Sequence, residues 1–138
     1  MFKTNPEYMK NYQGIIIEES LQNKDILKNI RIVSTKVEKV TEKHKTPWIK
    51  QWTLHIVEIS EDQSDSIAEK ISKGLDSEHP WYADFKNDFF DFIIFYNKFF
   101  KVDRSCKEQY DAVVKFGLSL GIPDYQLDFS PTIKEWKR

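Results

Sequence analysis

Residues 81–104 read WYADFKNDFFDFIIFYNKFFKVDR, a run dominated by aromatic and β-branched side chains. Two dipeptides that begin with asparagine, Asn87-Asp88 and Asn97-Lys98, interrupt this run, and asparagine tolerates the positive φ of tight hairpin turns. The segment therefore predicts a three-stranded antiparallel meander, with strands at 81–86, 89–96 and 99–104.

Two-residue turns fix which side chains face each other across such a meander. The predicted turns place Asp84 opposite Asp91, and Asp91 opposite Arg104. Two facing carboxylates repel each other unless a cation neutralises them or one carboxyl keeps its proton. Paired acids of this kind are used in general acid–base catalysis, but structural ion pairs are commoner. The row is either a candidate catalytic site or an ordinary polar end of the sheet.

The chain before and after the meander predicts three more strands and two helices. Residues 12–18, 30–41 and 49–59 are rich in β-branched side chains, which favours strands. Ser60 and Ser105 each begin a capping-box pattern that is followed by an apolar stripe at helical spacing. The predicted order of elements is β-β-β-α-β-β-β-α.

These elements predict one α+β domain over residues 1–138, a length that suits a single core. We expect an antiparallel or mixed sheet of five to six strands, with two amphipathic helices packed on one face. Residues 1–11 are polar and are expected to be flexible. Residues 125–138 carry apolar side chains, so part of this tail is expected to pack on the body.

The composition excludes several classes of function. Lys and Arg number 21 against 22 Asp and Glu, a balance that argues against binding nucleic acid or membranes through bulk charge. The single cysteine, Cys106, rules out an intramolecular disulfide and a thiolate zinc cluster, and the four glycines lack phosphate-loop spacing. No metal or cofactor is predicted. The longest apolar run is too short to span a membrane and no signal core is visible, so we expect a cytoplasmic protein.

The second face of the predicted meander carries Tyr82, Phe95 and Phe100 beside the charged row. A surface that mixes aromatic and charged groups is typical of a site for a small molecule, a partner protein or a second copy of the chain.

A basic hairpin at 36–52 interleaves Trp48 and Trp52 with cationic side chains. These side chains are Lys36, Lys39, Lys43, His44, Lys45 and Lys50. Lysines that hold phosphates and tryptophans that stack on bases would suit single-stranded nucleic acid. The alternative is a lysine-guarded hairpin whose tryptophans are anchored in the core.

Two histidines add to the candidates. His55 lies in the middle of the third predicted strand, with Glu58 or Glu18 as neighbours. It either joins the acid–base site or is a hydrogen-bonded histidine on a half-exposed face. His79 precedes Pro80 in a loop, which is either functional or a plain connector.

Three strings, GIIIEESL at 14–21, TPWIKQWTLH at 46–55 and LDSEHPWYADFK at 75–86, resemble a family of short prokaryotic proteins that has no known activity. The resemblance spans about residues 12–129. It implies no activity, cofactor or catalytic residue.

The sequence favours a small ligand- or partner-binding module over an enzyme, because no phosphate loop, metal cluster or redox cysteine pair is visible. The first alternative is a small, hydrolase-like acid–base enzyme that uses Asp84, Asp91 and Arg104, with His55. The second is a protein that binds single-stranded nucleic acid through the 36–52 hairpin. A homodimer is an expected assembly, and no membrane partner is expected.

Overall fold

The computed structural model of the protein describes residues 11–127, and all structural statements below concern that part of the chain. The α+β fold is confirmed, with a six-stranded antiparallel sheet and two α-helices packed against it. In chain order the elements are β1 (Tyr12–Ile17), β2 (Arg31–Lys39), β3 (Gln51–Ile59), α1 (Ser64–Gly74), β4 (Tyr82–Lys86), β5 (Phe90–Phe95), β6 (Lys98–Asp103) and α2 (Lys107–Ser119).

The strand order is β2-β3-β1-β4-β5-β6, so β1 joins a two-stranded hairpin to the three-stranded meander. Gly14 lies at this junction, paired with Val57 of β3 on one side and Phe85 of β4 on the other. A Cβ atom at position 14 would lie 2.0 Å from the carbonyl oxygen of Asp84. The close approach of β1 and β4 therefore requires a glycine.

Both turns of the meander have two residues, but each lies one position away from its predicted place. Asn87 directly follows β4 and lies opposite Phe90, because its N–H donates to the Phe90 carbonyl and its Oδ1 accepts from the Phe89 and Phe90 amides. The first turn is therefore Asp88-Phe89. The second turn is Tyr96-Asn97, since it places asparagine at the position with φ 61°. The prediction that asparagine takes part in both turns is confirmed, but its predicted position within each turn is wrong.

The predicted facing pairs are therefore wrong. Asp84 lies opposite Ile93, and Asp91 lies opposite Lys86 on one side and Val102 on the other. Each turn moves by one position, which changes the partner by two residues and leaves every side chain on its predicted face. Asp84 and Asp91 are thus diagonal neighbours on one face.

The two helices lie on opposite faces of the sheet, which corrects the expectation that they share one. Ile71 of α1 packs in the same cluster as Phe85 and Phe92. Val113 of α2 packs with Ile93 and Phe95, whose side chains alternate with the first set. The reason is that both faces of the meander are apolar, so each needs its own cover.

Neither predicted capping box forms. A 3-10 turn at Glu61–Gln63 separates Ser60 from α1, and the Ser60 side chain makes no capping hydrogen bond. The Ser105 hydroxyl donates to the carboxylate of Asp103 at 2.6 Å, so it does not cap α2.

The predictions for both ends of the chain fall mostly outside the described residues. Within them, Leu127 is buried beside α2, and an added Cβ at Gly117 would meet its side chain at 2.8 Å. The remaining parts of 1–11 and 125–138 are not described.

Candidate functional site

Asp84 and Asp91 do not face each other as predicted, but both lie in a buried cluster beneath α2. Asp84 and Asp91 are only 4% and 2% exposed. The Tyr110 hydroxyl of α2 donates to Asp91 Oδ2 at 3.2 Å, and Arg104 Nη1 donates to the Asn87 carbonyl at 2.6 Å. The three predicted residues are brought together, but Asp84 and Asp91 are buried beneath α2 and Arg104 is half-buried at the edge of the cluster.

Burial decides the protonation of this cluster. It raises the pKa of Asp91 to about 6, although the Lys86 ammonium, the hydrogen bonds of Asp84 and Tyr110, and the Arg104 guanidinium all oppose the shift. Burial, with the neighbouring Asp91 charge, also raises the pKa of Tyr110. Asp91 Oδ1 is buried and accepts no hydrogen bond from the described residues. The cluster can hold a proton near neutral pH, but it is not open to a substrate.

Tyr110 is the member of this cluster that sequence reasoning missed. Its place on the apolar stripe of α2 indicated a core residue, which is correct, since it is 4% exposed. Its hydroxyl reaches Asp91 only because α2 lies on the acidic face, and the helices were expected on one face. The available signal was the buried phenol itself, which needs a hydrogen-bond partner.

His55 does not belong to the acidic cluster. It pairs with Ile16 of β1, whereas Asp84 pairs with the adjacent Ile15, so the two side chains point to opposite faces of the sheet. His55 Nε2 lies 2.8 Å from Glu18 Oε1, and Nδ1 lies 2.8 Å from Thr35 Oγ1. The acid–base site that was predicted around Asp84 therefore lacks its histidine.

The aromatic side chains predicted to bind a ligand lie in the core or at its margin. Phe95 is fully buried and Tyr82 is 5% exposed, with the Tyr82 hydroxyl donating to the Gln126 carbonyl. Phe100 is partly buried and packs against Phe95 and Phe116. α2 covers this face, so a ligand cannot reach Tyr82 or Phe95 directly.

The two tryptophans of the basic hairpin have different environments. Trp52 is buried, and its indole N–H donates to Thr46 Oγ1 at 3.0 Å. Trp48 is 41% exposed, and its ring stacks on the imidazole of His79 at 3.8 Å between centroids. Of these two tryptophans, Trp48 is the one that offers aromatic surface to solvent.

His79 is fixed by an acidic partner. Its Nδ1 lies 2.6 Å from Asp76 Oδ2, while Asp76 Oδ1 accepts the Glu78 amide at 2.9 Å. Partial burial would raise the pKa of Asp76, but these hydrogen bonds outweigh it and hold the pKa below its usual value. Trp48 therefore stacks on an imidazole whose orientation is fixed by Asp76.

An open cleft of about 720 Å³ lies in the segment between β2 and β3. We call it the lysine cleft. Its lining residues are Lys39, Val40, Thr41, Glu42, Lys45, Thr46, Pro47, Ile49 and Lys50. Three of these residues are lysines and one is a glutamate, and Val40 and Ile49 pack against the core. The cleft combines a positive rim with an apolar wall.

Hydrogen bonds hold the segment that forms the lysine cleft. The Thr41 amide and hydroxyl both contact His44 Nδ1, at 3.0 and 3.1 Å. Lys45 adopts the left-handed conformation, with φ 59°. From the C-terminal side, the Tyr125 hydroxyl donates to the Lys43 carbonyl and Gln126 Nε2 donates to the His44 carbonyl at 3.2 Å. These contacts fix the backbone of the segment that forms the cleft.

No family model, curated protein or solved structure matches the chain. The resemblance to short prokaryotic proteins stays a prediction. Within residues 11–127, no helix is long and apolar enough to cross a membrane, and no three His, Cys, Asp or Glu side chains are grouped to hold a metal ion.

Proposed function

We propose that the protein is a small ligand-binding module and that the lysine cleft is its site. The ligand class is a small molecule with an apolar body and an acidic group. The observation that carries the proposal is the lining, in which Lys39, Lys45 and Lys50 outnumber Glu42 around the side chains of Val40 and Ile49. Concave sites of this size with an apolar wall and a few convergent charges are the usual form of a small-molecule site.

The acid–base alternative is less favoured because of access. Asp84 and Asp91 lie beneath α2, and a substrate would reach them only if the helix moved away. The raised pKa of Asp91 supports a titrating group, but structural clusters have this property as well.

Binding of single-stranded nucleic acid by the 36–52 hairpin is also less favoured. Stacking of successive bases needs several accessible rings. Trp52 is buried and hydrogen-bonded to Thr46, so Trp48 is the one tryptophan of the hairpin that is exposed.

Fluorescence titration with anilinonaphthalene sulfonate tests the proposal, because this probe has an aromatic body and one anionic group. Replacing Lys39, Lys45 and Lys50 together by Gln should weaken its binding about tenfold or more, since each exposed charge contributes up to about 1 kcal/mol. The neutral probe Nile red should bind both proteins alike.

The matched control replaces Lys28, Lys70 and Lys115 by Gln, three exposed lysines that lie outside the cleft. It changes the net charge equally and should leave the affinity unchanged. Equal losses in both triple variants would mean that the probe responds to bulk charge, and the proposed site would be wrong.

The proposal includes a cytoplasmic location and a homodimer formed through the outer edge of β2. Val33 and Val37 of this edge strand are 53% and 57% exposed. Antiparallel pairing of two copies about Val37 would set each Lys36 opposite the Glu38 of the other copy, a favourable cross-strand charge pair. Sedimentation should detect a dimer that Val37→Lys abolishes. A wild-type monomer at high concentration would contradict this part of the proposal.

A further inference from the structure

Three side chains from three different elements meet on the face of the sheet opposite the acidic cluster. Glu18 follows β1, Thr35 lies on β2 and His55 lies on β3. The two ring nitrogens of His55 are each 2.8 Å from an oxygen, Glu18 Oε1 at Nε2 and Thr35 Oγ1 at Nδ1. We call this group the Thr35–His55–Glu18 relay.

The partners determine the direction of the hydrogen bonds when His55 is neutral. The ionised Glu18 carboxylate can only accept, so Nε2 carries the ring proton. Nδ1 is then a lone pair, and it accepts the proton of the Thr35 hydroxyl. The hydroxyl oxygen consequently has its own proton directed at a base.

His55 is the least exposed member of the relay. His55 is 7% exposed, the Glu18 side chain is 35% exposed, and Thr35 lies on the exposed edge strand. The Thr35 side chain projects from a face of the sheet and not from its outer edge, so its hydroxyl stays accessible when a second copy pairs with that edge. A buried base held by a carboxylate and bonded to an accessible hydroxyl is the arrangement of an activated nucleophile.

We propose that the Thr35–His55–Glu18 relay is an acyl-transfer site for small carboxylic esters, with Thr35 as the nucleophile. This site is separate from the lysine cleft and does not depend on it. His55 acts as general base and Glu18 as the group that orients it.

The reaction balances without a cofactor. Thr35 Oγ bonds to the ester carbonyl carbon while its proton passes to His55 Nδ1. The tetrahedral intermediate collapses, the bond to the alcohol oxygen breaks, and that oxygen takes the proton from Nδ1. Water then attacks the acyl-threonine, giving its proton to Nδ1 and thence to the departing Thr35 oxygen. The products are one carboxylic acid and one alcohol.

The test uses the full chain and p-nitrophenyl acetate. We expect release of p-nitrophenol. When the reaction is quenched early, peptide mapping should find an acetyl group on the peptide that contains Thr35. Thr35→Val, which keeps the shape of the side chain, should lower the rate at least tenfold, since general-base assistance contributes about 10²–10⁴-fold. Thr35→Ser should retain the reaction, and Glu18→Gln should slow it while leaving the adduct on Thr35.

Ser34→Ala, a change at the neighbouring exposed residue of β2, is the control and should react as the wild type does. Two results would overturn the proposal: acetylation confined to lysine or tyrosine side chains, or an unchanged rate in Thr35→Val. Either would mean that the relay only ties β1, β2 and β3 together. Ser34→Ala and Thr35→Val both alter exposed positions and are expected to fold. Circular dichroism of the same samples checks this.

Discussion

The two halves of the sheet differ in the exposure of the polar groups that their candidate sites use. In the β4–β6 half, Asp84 and Asp91 are buried beneath α2 among aromatic side chains. In the β2–β3 half, the hydrogen-bonded hydroxyl of Thr35 lies at the surface, and so does the side chain of Lys45. A buried carboxylate pair affects the free energy of unfolding, whereas a polar group at the surface is accessible to a ligand. This comparison supports our proposal that binding belongs to the β2–β3 half, with the meander as its scaffold.

The largest expected effect is at the junction of the two halves. In Gly14→Ala the new Cβ would lie 2.0 Å from the Asp84 carbonyl oxygen and 2.6 Å from Phe85 Cα, so β1 and β4 must separate. We expect the free energy of unfolding to fall by about 3 kcal/mol or more. Urea denaturation measures it.

Gly121→Ala is the control for that change. Position 121 also has an unusual backbone, with φ 91°, but a Cβ there meets nothing within 4 Å. The expected cost is about 1 kcal/mol. If both variants lose the same stability, close approach at Gly14 is not what joins the halves.

The next effect is a pH dependence that originates in the meander half. The pKa of Asp91 is about 6 in the folded chain against a reference value of 3.8. Between these values the folded chain binds more protons than the unfolded chain, so the free energy of unfolding decreases as the pH rises from about 4 to 6. Burial of Asp91 thus costs about 2–3 kcal/mol above pH 6.

Asp91→Asn should remove this decrease. Relative to this variant, the wild type should lose about 2–3 kcal/mol of unfolding free energy between pH 4 and pH 7. Asp88→Asn, in the exposed turn nearby, should keep the wild-type pH dependence. A pH-independent difference for Asp91→Asn would contradict a buried, titrating carboxylate.

A smaller effect is expected in the β2–β3 half. Thr46→Val removes the acceptor of the buried Trp52 indole N–H and should cost about 1–3 kcal/mol. It should also weaken binding at the lysine cleft, whose wall includes Thr46. In Trp52→Phe the donor is already gone, so adding Thr46→Val to that variant should cost less. Additive costs would show that the two side chains are not coupled.

The smallest effect concerns the exposed stack. Trp48→Ala removes the ring that lies on His79 and should cost about 0.5–1.5 kcal/mol. His79→Ala should cost little more in that background. Thermal unfolding of the single and double variants measures the coupling, and a Trp48 effect unchanged by His79→Ala would contradict the stack.

Sequence patterns were sufficient for the strands and helices, because period-two and helical spacing are local properties. They placed the two turns one residue off, since Asn87 and Asn97 are compatible with either position of a turn and only their hydrogen bonds decide. The face of α2 was not predictable from its own stripe, because both faces of the meander are apolar. Tyr110 was therefore missed.

For the candidate sites, local patterns named the right residues but not their surroundings. Glu18 was among the neighbours considered for His55, but Thr35 enters only through the pairing of β2 with β3. The lysine cleft depends on contacts from Tyr125 and Gln126, about eighty residues along the chain. Such long-range contacts leave no periodic signal in the sequence.

The most direct test of the assignment of binding to the β2–β3 half is an amide NMR titration with anilinonaphthalene sulfonate. Saturable shift changes should be confined to residues 39–50 and their immediate neighbours, with the amides of β5 and α2 unmoved. Shift changes centred on Asp84, Asp91 and Tyr110 instead would mean that α2 moves away to admit ligands. The proposal that ligands bind in the β2–β3 half would then be wrong.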